Sequence, residues 1–360
     1  MQILVTGGCG FVGAAICRRL VADSAANHVT ALDSFRRRGS ETNRAGLERL
    51  GVRVVTGDVR VAADIDVAAG CDWVIDAAAE PSVLAGSHGA ATGRRELVDH
   101  NLLGTLNLLE AAARWNAGVV LLSTSRVYSI PALAGLPLVE RRAQGAAAFA
   151  LAADRPLPPG LGPDGIREEF SSAAPVSLYG ATKLAAETLA RDYAHALGTP
   201  LVIDRLGVLA GAGQFGRADQ GIFSWWIHSW AARRPLSYSG FGGRGLQVRD
   251  CLHPDDLASL LIGQLARARG GCPELVNVSG GAASATSLAE LSAWCGARFG
   301  PHAVGAAGAD RPYDLPWVVL DHTQATRAHA WRPERTAHAI FEEIADHAER
   351  HPHWLAVCGG

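Results

Sequence analysis

Thr6-Gly7-Gly8-Cys9-Gly10-Phe11-Val12-Gly13 is the stretch from which the rest of the chain is read. It follows Ile3-Leu4-Val5, a short apolar run of buried-strand character. It precedes apolar residues at Ala14, Ile16 and Leu20, which have helical spacing. The glycines fit GxGxxG through Gly8, Gly10 and Gly13, and GxxGxxG through Gly7, Gly10 and Gly13. A glycine turn between strand and helix lets the backbone approach a pyrophosphate. The first N–H groups of the helix and its dipole then favour the anion.

The next segments repeat the alternation. Strands are expected at His28–Leu32, Val52–Val55, Trp73–Ile75, Val119–Leu122 and Pro200–Ile203. Helices are expected over Asn101–Ala113, Tyr179–Leu197, Asp255–Arg267 and Ser287–Phe299. Strands alternating with helices imply an α/β fold, a Rossmann-type doubly wound parallel sheet covered on both faces. After about Gly207 the composition shifts toward Trp, Gly and Arg, which suggests a smaller C-terminal lobe. The expected division is a dinucleotide-binding domain at 1–205 and a substrate-binding lobe over most of 206–360, interleaved with the first. Between Ile130 and Phe170 six prolines interrupt any periodicity. This insert is read as an irregular excursion beside the site, with a short helix at Ala143–Ala153.

Composition narrows the function classes. The chain has 360 residues, 48% hydrophobic and 19% charged, with a formal charge of −2. That is the balance of a compact globular protein and gives no basic footprint for nucleic acid or anionic membranes. No apolar run reaches the ~20 residues of a membrane span, and the N-terminus shows no signal-peptide pattern, so a cytoplasmic protein is expected. The seven cysteines are irregularly spaced without CxxC, and the thirteen histidines form no HExxH. Neither a disulfide framework nor a metal site is expected.

Asp33 lies twenty residues past Gly13, at the end of the second strand. Its carboxylate suits both ribose hydroxyls and repels a 2′-phosphate, which favours NAD over NADP. Arg36, Arg37 and Arg38 nearby argue the other way. Asp58 and Val59, at the end of the third strand, are placed to hold adenine.

Tyr179-Gly180-Ala181-Thr182-Lys183 contains YxxxK, and residues four apart share a helix face. A cation beside the phenol, together with a positively charged nicotinamide, lowers its pKa from about 10 and makes Tyr179 a general base. Ser123 and Thr124 end the apolar strand from Val119, at the carboxyl edge of the sheet where ligands bind in such folds. Thr124 is placed to hydrogen-bond the reacting oxygen.

The order of these elements resembles the extended short-chain dehydrogenase/reductases, that is, the NAD-dependent nucleotide-sugar epimerases and dehydratases. TGGCGFVG, Asp33, GDV, Asn101 within NLLGTLNLLEA, STSRVY and YGATK carry the resemblance over most of 1–205. It implies tightly held NAD, contacted by Gly7, Gly10, Phe11, Val12, Gly13, Asp33, Ser34, Asp58, Val59, Ala77, Ala78, Ala79, Asn101, Ser123, Tyr179 and Lys183. It implies Thr124, Tyr179 and Lys183 as the catalytic set. It also implies a homodimer through the helices around Leu102–Ala113 and Tyr179–Leu197.

In dehydratases and sugar-acid decarboxylases of this family an acid follows the threonine within two positions. Here those positions are Ser125 and Arg126, which leaves epimerisation. Gly213-Gln214-Phe215, Asp219-Gln220-Gly221, Gln247–His253 and STSRVYS resemble the CDP-paratose (tyvelose) 2-epimerase branch. The insert and Ala77–Pro81 depart from it. The resulting expectation is C2 epimerisation of a CDP-hexose through a transient keto sugar. UDP-sugar 4-epimerisation is the alternative, and a non-catalytic NAD-binding regulatory protein is a further one. Glu80, Ser125, Arg126, Gln220, Gln247 and Arg249 are the expected substrate contacts. Arg249 is assigned to the diphosphate because a guanidinium matches phosphate geometry; an ion pair with Asp250 or Asp255 is the other reading. Trp225, Trp226 and Trp230 are read as lobe packing.

Overall fold

The computed structural model describes residues 1–86, 92–143, 145–218, 220–267, 274–307 and 313–359. A seven-stranded parallel sheet forms the centre. Its first five strands are β1 (Gln2–Thr6), β2 (His28–Asp33), β3 (Arg53–Thr56), β4 (Trp73–Asp76) and β5 (Gly118–Thr124). Across the sheet the order is Leu275–Val278, Leu201–Leu206, β5, β4, β1, β2, β3, with every pairing parallel. The order reverses between β1 and β4, which opens a crevice at the carboxyl ends of those strands.

The period-two alternation of strands assigns side chains to the two faces. Ile3, Val5, Val120 and Leu122 point to one face. They pack with Ala14, Ile16 and Leu20 of helix α1 (Phe11–Asp23) and with Leu257 and Leu261 of the helix Pro254–Arg267. Leu4, Val74, Val119 and Leu121 point to the other face, against Leu108 and Ala112 of the helix Gly104–Trp115 and Ala186 and Ala190 of the helix Ser177–Leu197. All seven residues of β5 are buried, which is why it reads as a continuous apolar run. Burial of each such side chain stabilises by about 1.5–3 kcal/mol.

The C-terminal half supplies a second small sheet built on the strand Val248–Leu252. Its core packs Phe223, Trp226 and Trp230 against Leu291 and Phe341. The halves interleave, because the strand Leu275–Val278 and the helix Pro254–Arg267 return to the first sheet.

The insert is ordered differently from the sequence reading. Residues 143–153 are not a helix. An antiparallel hairpin, β6 (Leu138–Ala143) and β7 (Ala146–Leu151), turns at Gly145 with φ +82°. The helical propensity of its alanines yields to cross-strand pairing and packing. Around it Tyr128, Leu133, Leu136, Ala148 and Phe170 share a core with Leu315–Leu320.

Candidate active site

A cavity of about 950 Å³ lies between the lobes at the carboxyl edge of the sheet. Its cofactor side is built on the turn after β1. Gly7 has φ +60°, and a Cβ at Gly13 would stand 2.1 Å from the Gly7 carbonyl oxygen. Glycine at these positions lets α1 begin directly against the turn, presenting its first N–H groups to the cavity. Gly7, Gly10, Phe11, Val12 and Gly13 all line it, with Ser34, Val59 and Ala77 to Ala79. Thr6 ties the two walls: its hydroxyl accepts from the Ala77 and Ala78 N–H groups and donates to the Asp76 carboxylate.

Asp33 is buried and lines the cavity. One carboxylate oxygen accepts from the Cys9 N–H at 2.9 Å and the other from the Phe35 N–H at 2.8 Å. Burial raises its pKa above the ordinary carboxylate value, while those hydrogen bonds oppose the shift. Each oxygen keeps acceptor capacity for a ribose hydroxyl. Arg36 is paired with Glu96 and Arg37 donates to the Phe215 carbonyl, so two of the three arginines are held by the protein itself. This arrangement fits NAD rather than a 2′-phosphate. Asp58 also lines the cavity. The Arg60 guanidinium hydrogen-bonded to its carboxylate holds that pKa down. Phe215, quoted above only as part of a motif, and Cys358 and Gly359, which sequence reasoning gave no role in the site, complete the wall beside Arg37 and Arg38.

Asn101 stands apart from the other expected cofactor contacts. It does not line the cavity. It sits in a π-helical turn, Asp99–Leu103, accepting from the Glu80 N–H at 2.8 Å and donating to the Glu80 carbonyl and the Thr182 hydroxyl. Its role is to pin the Glu80 backbone to the helix that carries Tyr179. Two buried carboxylates were missed. Asp76, at the end of β4, and Glu187, one turn beyond Lys183, pull the Lys183 pKa up against the burial that depresses it. The apolar run ending in Asp76 and the four-residue spacing from Lys183 were the available signals.

Gly180 lets the elements that carry Thr124 and Tyr179 approach one another. A Cβ there would stand 2.2 Å from the Arg126 carbonyl oxygen. Only glycine lets the helix Ser177–Leu197 press against the turn following β5. Tyr179 and Thr124 then stand on one wall of the cavity, close enough for Thr124 to lower the phenol's pKa. The Thr124 oxygen already accepts from the Arg126 N–H at 3.2 Å, which leaves its own proton for Tyr179 or a substrate oxygen. Burial raises the Tyr179 pKa, Thr124 and the Arg126 charge lower it, and the Glu80 charge raises it. Arg126 is thus a second cation acting on the phenol, beside the Lys183 expected from YxxxK. Lys183 is buried and lines the same wall. Ser123 donates to Glu187, whose carboxylate is clasped by Arg205 at 2.7 Å.

Glu80, Ser125, Arg126, Gln220, Gln247 and Arg249 also line the cavity. Glu80 accepts from the Ser82 N–H and the Thr92 hydroxyl. Arg126 donates to the Tyr313 carbonyl at 3.1 Å. Arg249 pairs with Asp314 at 3.1 Å rather than with Asp250 or Asp255. The side-chain amide oxygens of Gln220 and Gln247 are buried without a partner. Asp219 and Cys272 lie outside the described residues. Trp225 and Trp226 pack in the lobe and also reach the cavity wall. The insert, read from the sequence as an excursion beside the site, contributes no described residue of 130–170 to the cavity wall.

The turn after β1, Asp33 and the Thr124–Tyr179–Lys183 set together make a site for a dinucleotide and a hydroxyl-bearing substrate. The model of the NAD dependent epimerase/dehydratase family matches residues 3–279, and the chain belongs to that family. It is an enzyme with NAD as cofactor, and the reading of a non-catalytic NAD-binding protein is set aside. It is 29% identical over 302 residues to a CDP-paratose 2-epimerase of Salmonella typhi, covering 81% of this chain and 82% of that one. It is 29% identical over 349 residues to a dTDP-L-rhamnose 4-epimerase of Burkholderia thailandensis, covering 92% and 91%. The fold matches a UDP-glucuronic acid 4-epimerase from Bacillus cereus with a TM-score of 0.76 at 23% identity, over 97% and 99% of the two chains. No described helix is long and apolar enough to cross a membrane.

Proposed function

We propose that the enzyme inverts C2 of a CDP-hexose. Arg126 carries the choice of epimerisation over dehydration, and the likeness to a CDP-paratose 2-epimerase carries the choice of C2 and of a CDP-hexose. Dehydration requires an acid beside the reacting carbon, but the positions after Thr124 hold Ser125 and a cation whose charge lowers the Tyr179 pKa. The likeness extends over 81% of the chain.

Bound NAD supplies the acceptor, and then the donor, of a hydride that leaves and returns to one carbon. Tyr179 takes the proton of the C2 hydroxyl and later gives it back. Thr124 donates to the same oxygen as it becomes a ketone, and Ser123 stands beside it. Lys183 holds the nicotinamide ribose. The keto sugar would have to turn over within the cavity to present its other face. Arg249 binds the diphosphate. Gln220 and Gln247 offer amide oxygens to N–H groups of the base. Glu80, Ser125 and Arg126 surround the sugar.

Residues 1–205 form the NAD-binding domain in this reading, and 206–360 mainly the substrate lobe. A homodimer forms through the helices Gly104–Trp115 and Ser177–Leu197, which pack side by side. UDP-sugar 4-epimerisation is the second reading. The 92% coverage of this chain by a relative named as a 4-epimerase favours it.

The test is NMR of the protein with CDP- and UDP-hexoses in D2O. A C2 epimer without deuterium at C2 is expected. A C4 epimer without deuterium replaces the proposal with the second reading. Deuterium in the ring carbons, or a lasting 4-keto product, refutes both.

A further inference from the structure

The glycine-rich segment ahead of the strand Val248–Leu252 is held by the insert hairpin. Gly240, Gly242, Gly243 and Gly245 all have φ between +65° and +72°. Such a segment has large conformational entropy and does not keep one shape unaided. Directly after it come Gln247 and Arg249, which line the cavity, and Ser239 lines it from the other end. Gln247 donates to the Ser239 carbonyl at 3.1 Å, closing the segment into a loop. The same amide leaves its oxygen buried without a partner. The position of that oxygen depends on whatever fixes the loop.

The hairpin supplies the fixing contacts. The Phe149 N–H donates to the Leu246 carbonyl at 3.0 Å. The Phe149 ring stands edge-on to Phe241, with centroids 5.5 Å apart and planes at 81°. Glu140 takes Arg244 in two hydrogen bonds of 2.9 and 2.6 Å. One strand further on, the Ser287 hydroxyl donates to the Ala147 carbonyl at 2.8 Å, and Arg141 pairs with Glu290 at 2.9 Å. Ser287 follows Thr286, another cavity residue, which lies opposite Arg249 in the antiparallel register. The hairpin thus touches the loop at 241, 244 and 246 and the neighbouring strand at 287, from one layer behind the cavity wall.

We propose that the β6–β7 hairpin is a nucleotide clamp. It orders the loop 240–247 so that Gln247 and Arg249 meet the nucleoside diphosphate already placed, and Phe149 is its principal positioning residue. The clamp rests on the nucleotide-sugar reading above. It acts on binding and not on the chemical step, because Thr124, Tyr179 and Lys183 stand on other elements.

The probes are CDP and UDP, titrated calorimetrically into the NAD-loaded enzyme. Phe149→Ala and Phe241→Ala are each expected to raise the Kd of the preferred diphosphate by about three- to tenfold, the scale of one aromatic pair. The double variant adds little beyond either single one. KM rises in step while kcat stays within twofold, and amide exchange across 240–247 quickens. Phe149→Tyr, which keeps the ring, retains wild-type Kd and guards against a variant that fails to fold. If the wild type binds a diphosphate and both alanine variants bind it equally well, the clamp is refuted alone. A kcat that falls with unchanged Kd also overturns it. A wild type that binds neither diphosphate overturns the nucleotide-sugar reading and the clamp with it.

Discussion

Replacing Gly180 with alanine tests the contact on which the active-site geometry rests. The new Cβ would stand 2.2 Å from the Arg126 carbonyl oxygen, where real Cβ atoms keep at least 3.0 Å. The helix and the turn after β5 must therefore separate by at least 0.8 Å (3.0 − 2.2). Both partners are backbone, so no side-chain rotation relieves the clash. The separation moves Tyr179 away from Thr124, which ends β5 next to that turn. A displacement of about 1 Å in a reacting constellation costs about 100-fold in rate. Stability changes less. Overpacking costs about 1–3 kcal/mol, and the better helix propensity of alanine offsets about 0.8–1 kcal/mol of that. The expected variant is folded and holds NAD, because the turn after β1 and Asp33 lie on other elements. Its turnover is about 100-fold slower. The assay is epimer formation by NMR at saturating nucleotide sugar, with NAD content and thermal unfolding as controls. A Gly180→Ala enzyme with full NAD and kcat within threefold of wild type would refute the argument that this glycine brings the catalytic pair together.

Two further expectations concern charge. Arg126 favours the phenolate of Tyr179 and Glu80 disfavours it, so Arg126→Gln moves the acid limb of the kcat/KM profile to higher pH and Glu80→Gln moves it lower. Each pH unit of displacement changes the rate on that limb about tenfold; limbs that stay put, or move the same way, contradict the assignment of Tyr179 as the base. Asp204 is fully buried and its pKa is pushed up to about 7 by desolvation, with one oxygen accepting from Gln264 and the other unpartnered. The folded state binds its proton more tightly than the unfolded state, so this group's contribution to stability falls as pH rises from about 4 through about 7. The loss is roughly 4 kcal/mol for a shift of about three units. Asp204→Asn removes that slope, and denaturant unfolding at pH 4.5 and 8 shows it; parallel pH curves for the two proteins overturn the assignment.

The alternation of Ile3-Leu4-Val5, the glycine turn and the spacing of Ala14, Ile16 and Leu20 are local patterns, and they were legible as β1 and α1. The all-apolar run of β5 and the helix carrying YxxxK were legible for the same reason. Local patterning failed at β6–β7, where an alanine-rich strand was read as a helix. Propensity is summed over neighbours in sequence, but this strand is set by pairing with Glu140–Ala143 and by Leu246 from the other lobe. At Asn101 the family resemblance implied a cofactor contact, and the π-helical turn there brings the side chain to Glu80 and Thr182.

What the sequence determined by itself was the chemistry present: a pyrophosphate turn, an acceptor for ribose, and a phenol, a hydroxyl and an ammonium at fixed local spacings. The tertiary structure decided which charges face one another. Arg249 meets Asp314, 65 residues away; Ser123 meets Glu187, 64 away; Tyr128 meets Asn277, 149 away. Arg126, 53 residues away in sequence, lowers the pKa of the Tyr179 phenol. Periodicity fixes where a side chain points on its own element. Electrostatic partners depend on how close the elements come, and here that approach is set by the absence of a Cβ at Gly180 and by the order of strands in the sheet.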